Sequence, residues 1–207
     1  LADAVHEHGT LLLSQPWHRG RQTNSVTNGL PVWAPSAVPC GVYREMPHVM
    51  TGKDIAEIID GYRLSARISR EGGLDGCEVS VFSHLANQFL TPAINKRDDE
   101  YGGSLENRLR FPREILTQVR QRIGRRGIVG YRMGVEEFTE GGLGIEDTVD
   151  IARQLCSEGL VDYLSLSQGN FNSIETHLPD RHWPILAYQD LHKQFMAVAN
   201  GVPVIAS

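Results

Sequence analysis

Residues 127–168 read GIVGYRMGVEEFTEGGLGIEDTVDIARQLCSEGLVDYLSLSQ, and their pattern decides the fold. The branched apolar run 128–133 (IVGYRM) has the length and content of a buried strand. In 146–156, Val149, Ala152 and Leu155 recur at the period of a helix, and 162–167 (DYLSLS) returns to strand character. The strand-to-helix connection, 134–145, is long. The helix-to-strand connection, 158–161, is short. Two strands joined through a helix in this way form a βαβ unit, which makes them parallel.

The same alternation extends in both directions. Strands are expected at 10–15 (TLLLSQ), 76–81 (GCEVSV) and 202–206 (VPVIA), and helices at 54–69, 104–123 and 188–198. In the first helix Ile55, Ile58, Ile59, Tyr62 and Ala66 share one face, and Thr51 with Asp54 makes a capping box at its start. Pro112 falls inside the second helix, where it removes one backbone bond. Every long connection (16–50, 82–103, 134–145 and 168–187) follows a strand, which is the face where parallel α/β folds keep their ligand sites. No glycine-rich dinucleotide fingerprint follows the first strand, and there is no P-loop. A doubly wound open sheet and a closed barrel both fit this alternation; the barrel is favoured, and the expected fold is a (β/α)8 TIM barrel with about five of its eight βα units present in a single partial domain, 1–207. A complete barrel typically takes ~250 residues. The chain opens inside a helical pattern at Leu1 and stops just after a strand at Ser207, so both ends read as cut, and exposed sheet edges there favour pairing with another chain.

Composition narrows the function classes. The chain has 207 residues, 41% of them apolar and 22% charged, and 20 Lys+Arg against 25 Asp+Glu leave a formal charge of −5 with no basic stripe. This argues against a nucleic-acid partner. No apolar run approaches the ~18 residues of a membrane span and no signal pattern opens the chain, so a cytoplasmic location is expected. Cys40, Cys77 and Cys156 are too far apart for a disulfide framework or a metal pair, and the last two read as small core residues.

Candidate chemistry lies at the strand ends. Gln15, Trp17, His18, Arg19 and Arg21 follow the first strand; Ser80, Ser83, His84 and Gln88 end or follow the second; Ser165, Ser167 and Gln168 end or follow the fourth. Arg132 interrupts an apolar strand at its exit, where a guanidinium needs an anion, a π-face or a polar ligand edge. The structural alternative is a pair with Glu78. Gln15 offers a donor and an acceptor to an imide edge, and His84 could act as an acid or base near neutral pH. No strand carries a Schiff-base lysine. His6 and His8 sit two apart in a helical stretch and point different ways, so no metal site is expected. Asp98, Asp99, Glu100, Glu136 and Glu137 read as solvated loop charges.

The segments SQPWHRGRQ (14–22), LTPAINKRDDEYGGSLENRLRF (90–111) and VGYRMGVEEFTEGGL (129–143) together resemble the Old Yellow Enzyme family of NAD(P)H:flavin oxidoreductases. The likeness spans nearly the whole chain and is most specific in DEYGGSLENR. It implies an FMN-bearing barrel of which this chain supplies strands three to seven, with NAD(P)H as an electron donor. By this resemblance Gln15 hydrogen-bonds the flavin pyrimidine edge and Arg132 sits by flavin N1 and O2. His18 and Arg21 shape the site beneath the flavin, and Gly102, Gly103 and Ser104 build a turn and helix cap. His84 is the candidate proton donor.

The chain also departs from the family pattern. Ene-reducing members carry a His-x-x-His or His-x-x-Asn pair after the fourth strand. Here Ser80 takes the first position, no partner follows, and the segment is one residue short. Its wording is closer to amine-oxidising or demethylating flavoproteins, some of which bind an iron–sulfur cluster whose cysteines would lie outside this chain. The expected activity is hydride transfer through flavin N5 to or from a small organic substrate. A truncated barrel without catalysis is the alternative, and self-association is left open.

Overall fold

The computed structural model describes residues 1–206; Ser207, on which the expected end of the domain falls, lies outside them. The elements are α1 (Ala2–His6), β1 (Leu13–Ser14), α2 (Ser25–Asn28), β2 (Trp33–Ala34), β3 (His48–Val49), α3 (Gly52–Glu71), β4 (Gly76–Ser80) and α4 (Leu85–Leu90). They continue with α5 (Leu105–Ile123), β5 (Ile128–Gly134), α6 (Ile145–Ser157), β6 (Tyr163–Ser167), α7 (Ile174–His177), α8 (Gln189–Val198) and β7 (Val204–Ala206). One parallel sheet runs β1-β4-β5-β6-β7, and β2 pairs only with β3. The strand order never reverses, whereas an open doubly wound sheet has a point where it does. This is the arrangement of consecutive units in a (β/α)8 barrel, as the sequence pattern implied.

Strand parity explains where the core sits. Cys77 and Val79 of β4, Val129, Tyr131 and Met133 of β5, and Leu164 and Leu166 of β6 join the same buried cluster as Ile55, Ala66, Leu109, Leu116, Ile151 and Leu155 of the helices. The alternate residues therefore face away from the helices. In register they form two rows: Glu78, Gly130 and Tyr163, then Ser80, Arg132, Ser165 and Ile205. The helical face is apolar and the other is largely polar, and that contrast puts the chemistry on the inner wall.

The helices begin where their caps dictate. Thr51 and Asp54 form the expected capping box of α3, and Ser104 Oγ accepts from Asn107 N at the start of α5. Pro112 lies within α5 without ending it; only the Arg108 carbonyl loses its helical donor. Gly103 has φ +77°, and a Cβ on Gly102 would lie 2.1 Å from the Arg97 carbonyl, so this glycine pair makes the tight turn that the motif implied. Arg97 donates to the carbonyls of Pro35 and Met50, which ties the motif to the excursion after β1.

Some of the acidic loop residues are not solvated. Glu137 is 5% exposed and accepts from Asn87 Nδ2 and Thr91 Oγ1, each at 2.6 Å, and from Leu143 N at 2.8 Å. Three donors offset its desolvation, so a pair that resembled surface charge contains a structural carboxylate. Asp99 pairs with Arg97 and accepts from Tyr101 N, and Arg97 with this backbone donor holds its carboxyl below the usual range. Cys40, Cys77 and Cys156 are free and buried.

Candidate active site

The inner wall is built around Glu78. An ionised carboxylate only accepts, and both oxygens of Glu78 are engaged. Gln15 Nε2 donates to Oε1 at 2.5 Å, and the Tyr163 hydroxyl donates to Oε2 at 2.7 Å. Tyr163 reaches across β5 because the intervening residue is Gly130, where a Cβ would lie 2.1 Å from the tyrosine ring. Burial and Glu78 push the Tyr163 hydroxyl well above its ordinary pKa, so it stays a donor. With its amide nitrogen turned to Glu78, Gln15 keeps Oε1 free as an acceptor at the strand's carboxyl end.

Arg132 lies one row further toward that end. It does not pair with Glu78; its NH1 donates to Ser165 Oγ at 3.1 Å, and it has no ion-pair partner among the described residues. The half-buried guanidinium lines an open cleft of about 1230 Å³, together with Ser167, Gln168 and His177. His177 Nδ1 stands 3.4 Å from Ser167 Oγ, and its ring lies 4.8 Å from that of Phe82. The sequence pattern does not single out His177, because it lies on α7, a four-residue helix in a long connection. Its one clue was that the connection follows a strand.

His84 is placed differently. It precedes α4, its ring lies 4.3 Å from that of Trp17, and its Nδ1 is 3.0 Å from Gln22 Oε1. Because Gln22 Nε2 donates to Ser83 Oγ at 2.7 Å, Gln22 presents its oxygen to His84, which places the imidazole proton on Nδ1. Burial, then the positive Arg19, then His18 push the His84 pKa down to about 4. At neutral pH it is an uncharged imidazole with Nε2 free to accept.

The remaining candidates hold the loops. Gln88 is fully buried; it accepts from Arg21 N and donates to the Arg19 carbonyl, so it latches the excursion after β1 onto α4. Arg21 NH1 donates to the Val38 and Pro39 carbonyls. His18 Nδ1 accepts from Gly20 N, and burial lowers its pKa. His6 is 2.9 Å from Asp75, and no group of three potential metal ligands occurs among the described residues.

The donor set fits a flavin. Arg132 is a lightly engaged cation beside a cleft, suited to a ring that gains negative charge, and Gln15 Oε1 is an acceptor suited to an imide N–H. Residues 1–207 match the NADH:flavin oxidoreductase / NADH oxidase family, and the chain belongs to that family. It is 37% identical to the NADH oxidase of Thermoanaerobacter brockii, over 99% of this chain and 32% of that protein. It is 35% identical to the N,N-dimethylglycine/sarcosine dehydrogenase of Chromohalobacter salexigens, over 100% of this chain and 30% of that protein. The structure of histamine dehydrogenase from Rhizobium sp. 4-9 superposes with a TM-score of 0.89 at 26% identity, covering 99% of this chain and 30% of that one. The chain thus spans about a third of the length of these relatives. Among the described residues no helix is long and apolar enough to cross a membrane.

Proposed function

We propose that this chain forms the flavin-facing wall of an FMN-dependent oxidoreductase that takes a hydride from a small N-methylated amine, with NAD(P)H as an alternative donor, and passes the electron pair on to a separate acceptor. When bound, FMN supplies a two-electron hydride donor and acceptor at its N5. Arg132 would provide a fixed positive charge toward the bound ring, and Ser165 holds the guanidinium in place. Gln15, its amide oriented by Glu78, accepts from the imide N–H. His84 handles the proton. Its Nε2 is free to accept while Gln22 retains the proton on Nδ1, and because its basicity is lowered a proton taken there is passed on rather than held.

The observation that carries the reading is Arg132 itself, a half-buried cation at a strand exit with one hydrogen bond and no counter-ion among the described residues. The amine class draws support from relatives named as dimethylglycine/sarcosine and histamine dehydrogenases. It draws further support from Ser80, which stands where ene-reducing members carry a histidine.

FMN titration followed by anaerobic reduction tests this. The wild-type protein is expected to hold FMN, and Arg132→Met to slow flavin reduction by about 10²-fold, a typical loss for one preorganised charge. Arg132→Lys should recover part of the rate. Purified protein with no flavin absorbance and no gain on adding FMN overturns the reading.

A further inference from the structure

Apart from His84 Nε2, the loop after β4 has few polar atoms to spare for a substrate. Ser83 and His84 are bonded to Gln22, Asn87 to Glu137, and Gln88 to the backbone of Arg19 and Arg21. The wall on the far side of Arg132 is different. Gln168 is 3% exposed, yet its Oε1 has no partner among the described residues, and His192 Nε2 on α8 is likewise buried and unpartnered. Both residues line the cleft. Buried polar atoms are normally satisfied, so two unpaired ones on a single cleft mark where ligand atoms belong.

The charge of the cleft is also one-sided. Arg132, Arg181 and Lys193 line it against a single carboxylate, Asp180, and Asp180 is taken up by His182 through its backbone N–H and ring. Lys193 is held by Asp190. Arg181 has no hydrogen-bond or ion-pair partner among the described residues and stands exposed at the mouth. The rest of the lining is mainly apolar, with Leu178, Ile185 and Met196 among it.

We propose that the cleft receives a small organic acid: Arg181 binds its carboxylate, Gln168 Oε1 accepts from an N–H on the same molecule, and its apolar part lies against Leu178 and Met196. The substrate is thus held from the loop after β6 rather than the loop after β4. This rests on the flavin-enzyme reading and adds the substrate's charge and its contacts. The phosphate of FMN is the other anion that could use Arg181, and the experiment separates the two.

The probes are N-methylalanine, its carboxamide, in which the carboxylate is replaced by an uncharged group, and propionate. They are titrated into the flavin-loaded protein and followed by flavin absorbance and by calorimetry. N-methylalanine is expected to bind at least about tenfold more tightly than the amide, the scale of one charge-assisted hydrogen bond. Arg181→Gln should abolish that preference. Gln168→Leu should weaken N-methylalanine and its amide together and leave propionate unchanged. Equal binding of acid and amide, or no binding of either, overturns the proposal. So does an Arg181→Gln protein that loses affinity for FMN but not for riboflavin, since Arg181 would then anchor the phosphate. If the protein holds no flavin, it is the flavin-enzyme reading that has failed, and calorimetry of acid against amide still decides the proposal.

Discussion

His84 shows how far residue type alone can be read. A histidine after a strand suggests a group titrating near neutrality, yet its neighbours decide otherwise. Trp17 covers the ring and burial disfavours its charge, Arg19 and His18 add to that effect, and Gln22 fixes the tautomer. None of these contacts is local in sequence except through the fold. The expected consequence is an imidazole that remains neutral down to about pH 4. Histidine-selective NMR titration checks this, and a His84 midpoint near the ordinary 6.5 would refute it. Gln22→Glu should raise the midpoint by placing a carboxylate against Nδ1, since an opposite charge within hydrogen-bond distance favours the protonated ring.

At the scale of elements, the parallel strands and long helices were legible because they carry a period. The five strand positions and the capping box could be read from apolar spacing and from Thr51 and Asp54, and the barrel followed from where the long connections fall. The short elements carried no such signal. All six residues of α4 are buried, so it has no polar face to show a period; α7 has four residues and β2 and β3 two each, too few for one to develop. Glu137 was misread for a related reason, because its donors come from α4 and from the turn before α6. The inner wall was half legible. Arg132 and Gln15 could be picked out, whereas the role of Glu78 depends on a glycine one strand away. That dependence is testable. Gly130→Ala places a methyl group against the Tyr163 ring and forces it off Glu78, for an expected loss of about 1–3 kcal/mol, as overpacking typically costs. In a Tyr163→Ala background the same change should cost little, because the clash is gone. Denaturant unfolding of the four proteins measures the coupling, and additive losses would show that Tyr163 does not cross β5 at this point.

Across the whole molecule, the two ends of the strands are built for different tasks. The amino-terminal ends are tied by polar clamps. Asp75 accepts from Leu12 N and His6, Asp162 accepts from Val129 N and Arg120, and Arg70 donates to the Arg122 and Ile123 carbonyls. The carboxyl-terminal side carries the unpaired Gln168 Oε1 and His192 Nε2, the lightly held Arg132 and three histidines, His18, His84 and His192, whose pKa values burial pushes down. This division predicts how stability depends on pH. Each of these imidazoles takes up a proton more readily once the chain unfolds. Between the ordinary value of 6.5 and the lowered native one, about 4 for His84, the unfolded state therefore binds more protons, and stability falls as the pH falls through that window. The carboxylates act lower down. Asp54, held to about 2 by the Thr51 backbone and His48, and Asp75, held low by Leu12 N and His6, contribute stability that is lost only below their ordinary value of 3.8. Acid unfolding should accordingly have a shallow limb from about pH 6.5 to 4 and a steeper one beneath it. Replacing His18, His84 and His192 with glutamine should flatten the upper limb of a Tm-against-pH curve and leave the lower limb in place. An unchanged upper limb in that triple variant would mean that these three histidines are not neutral in the folded protein.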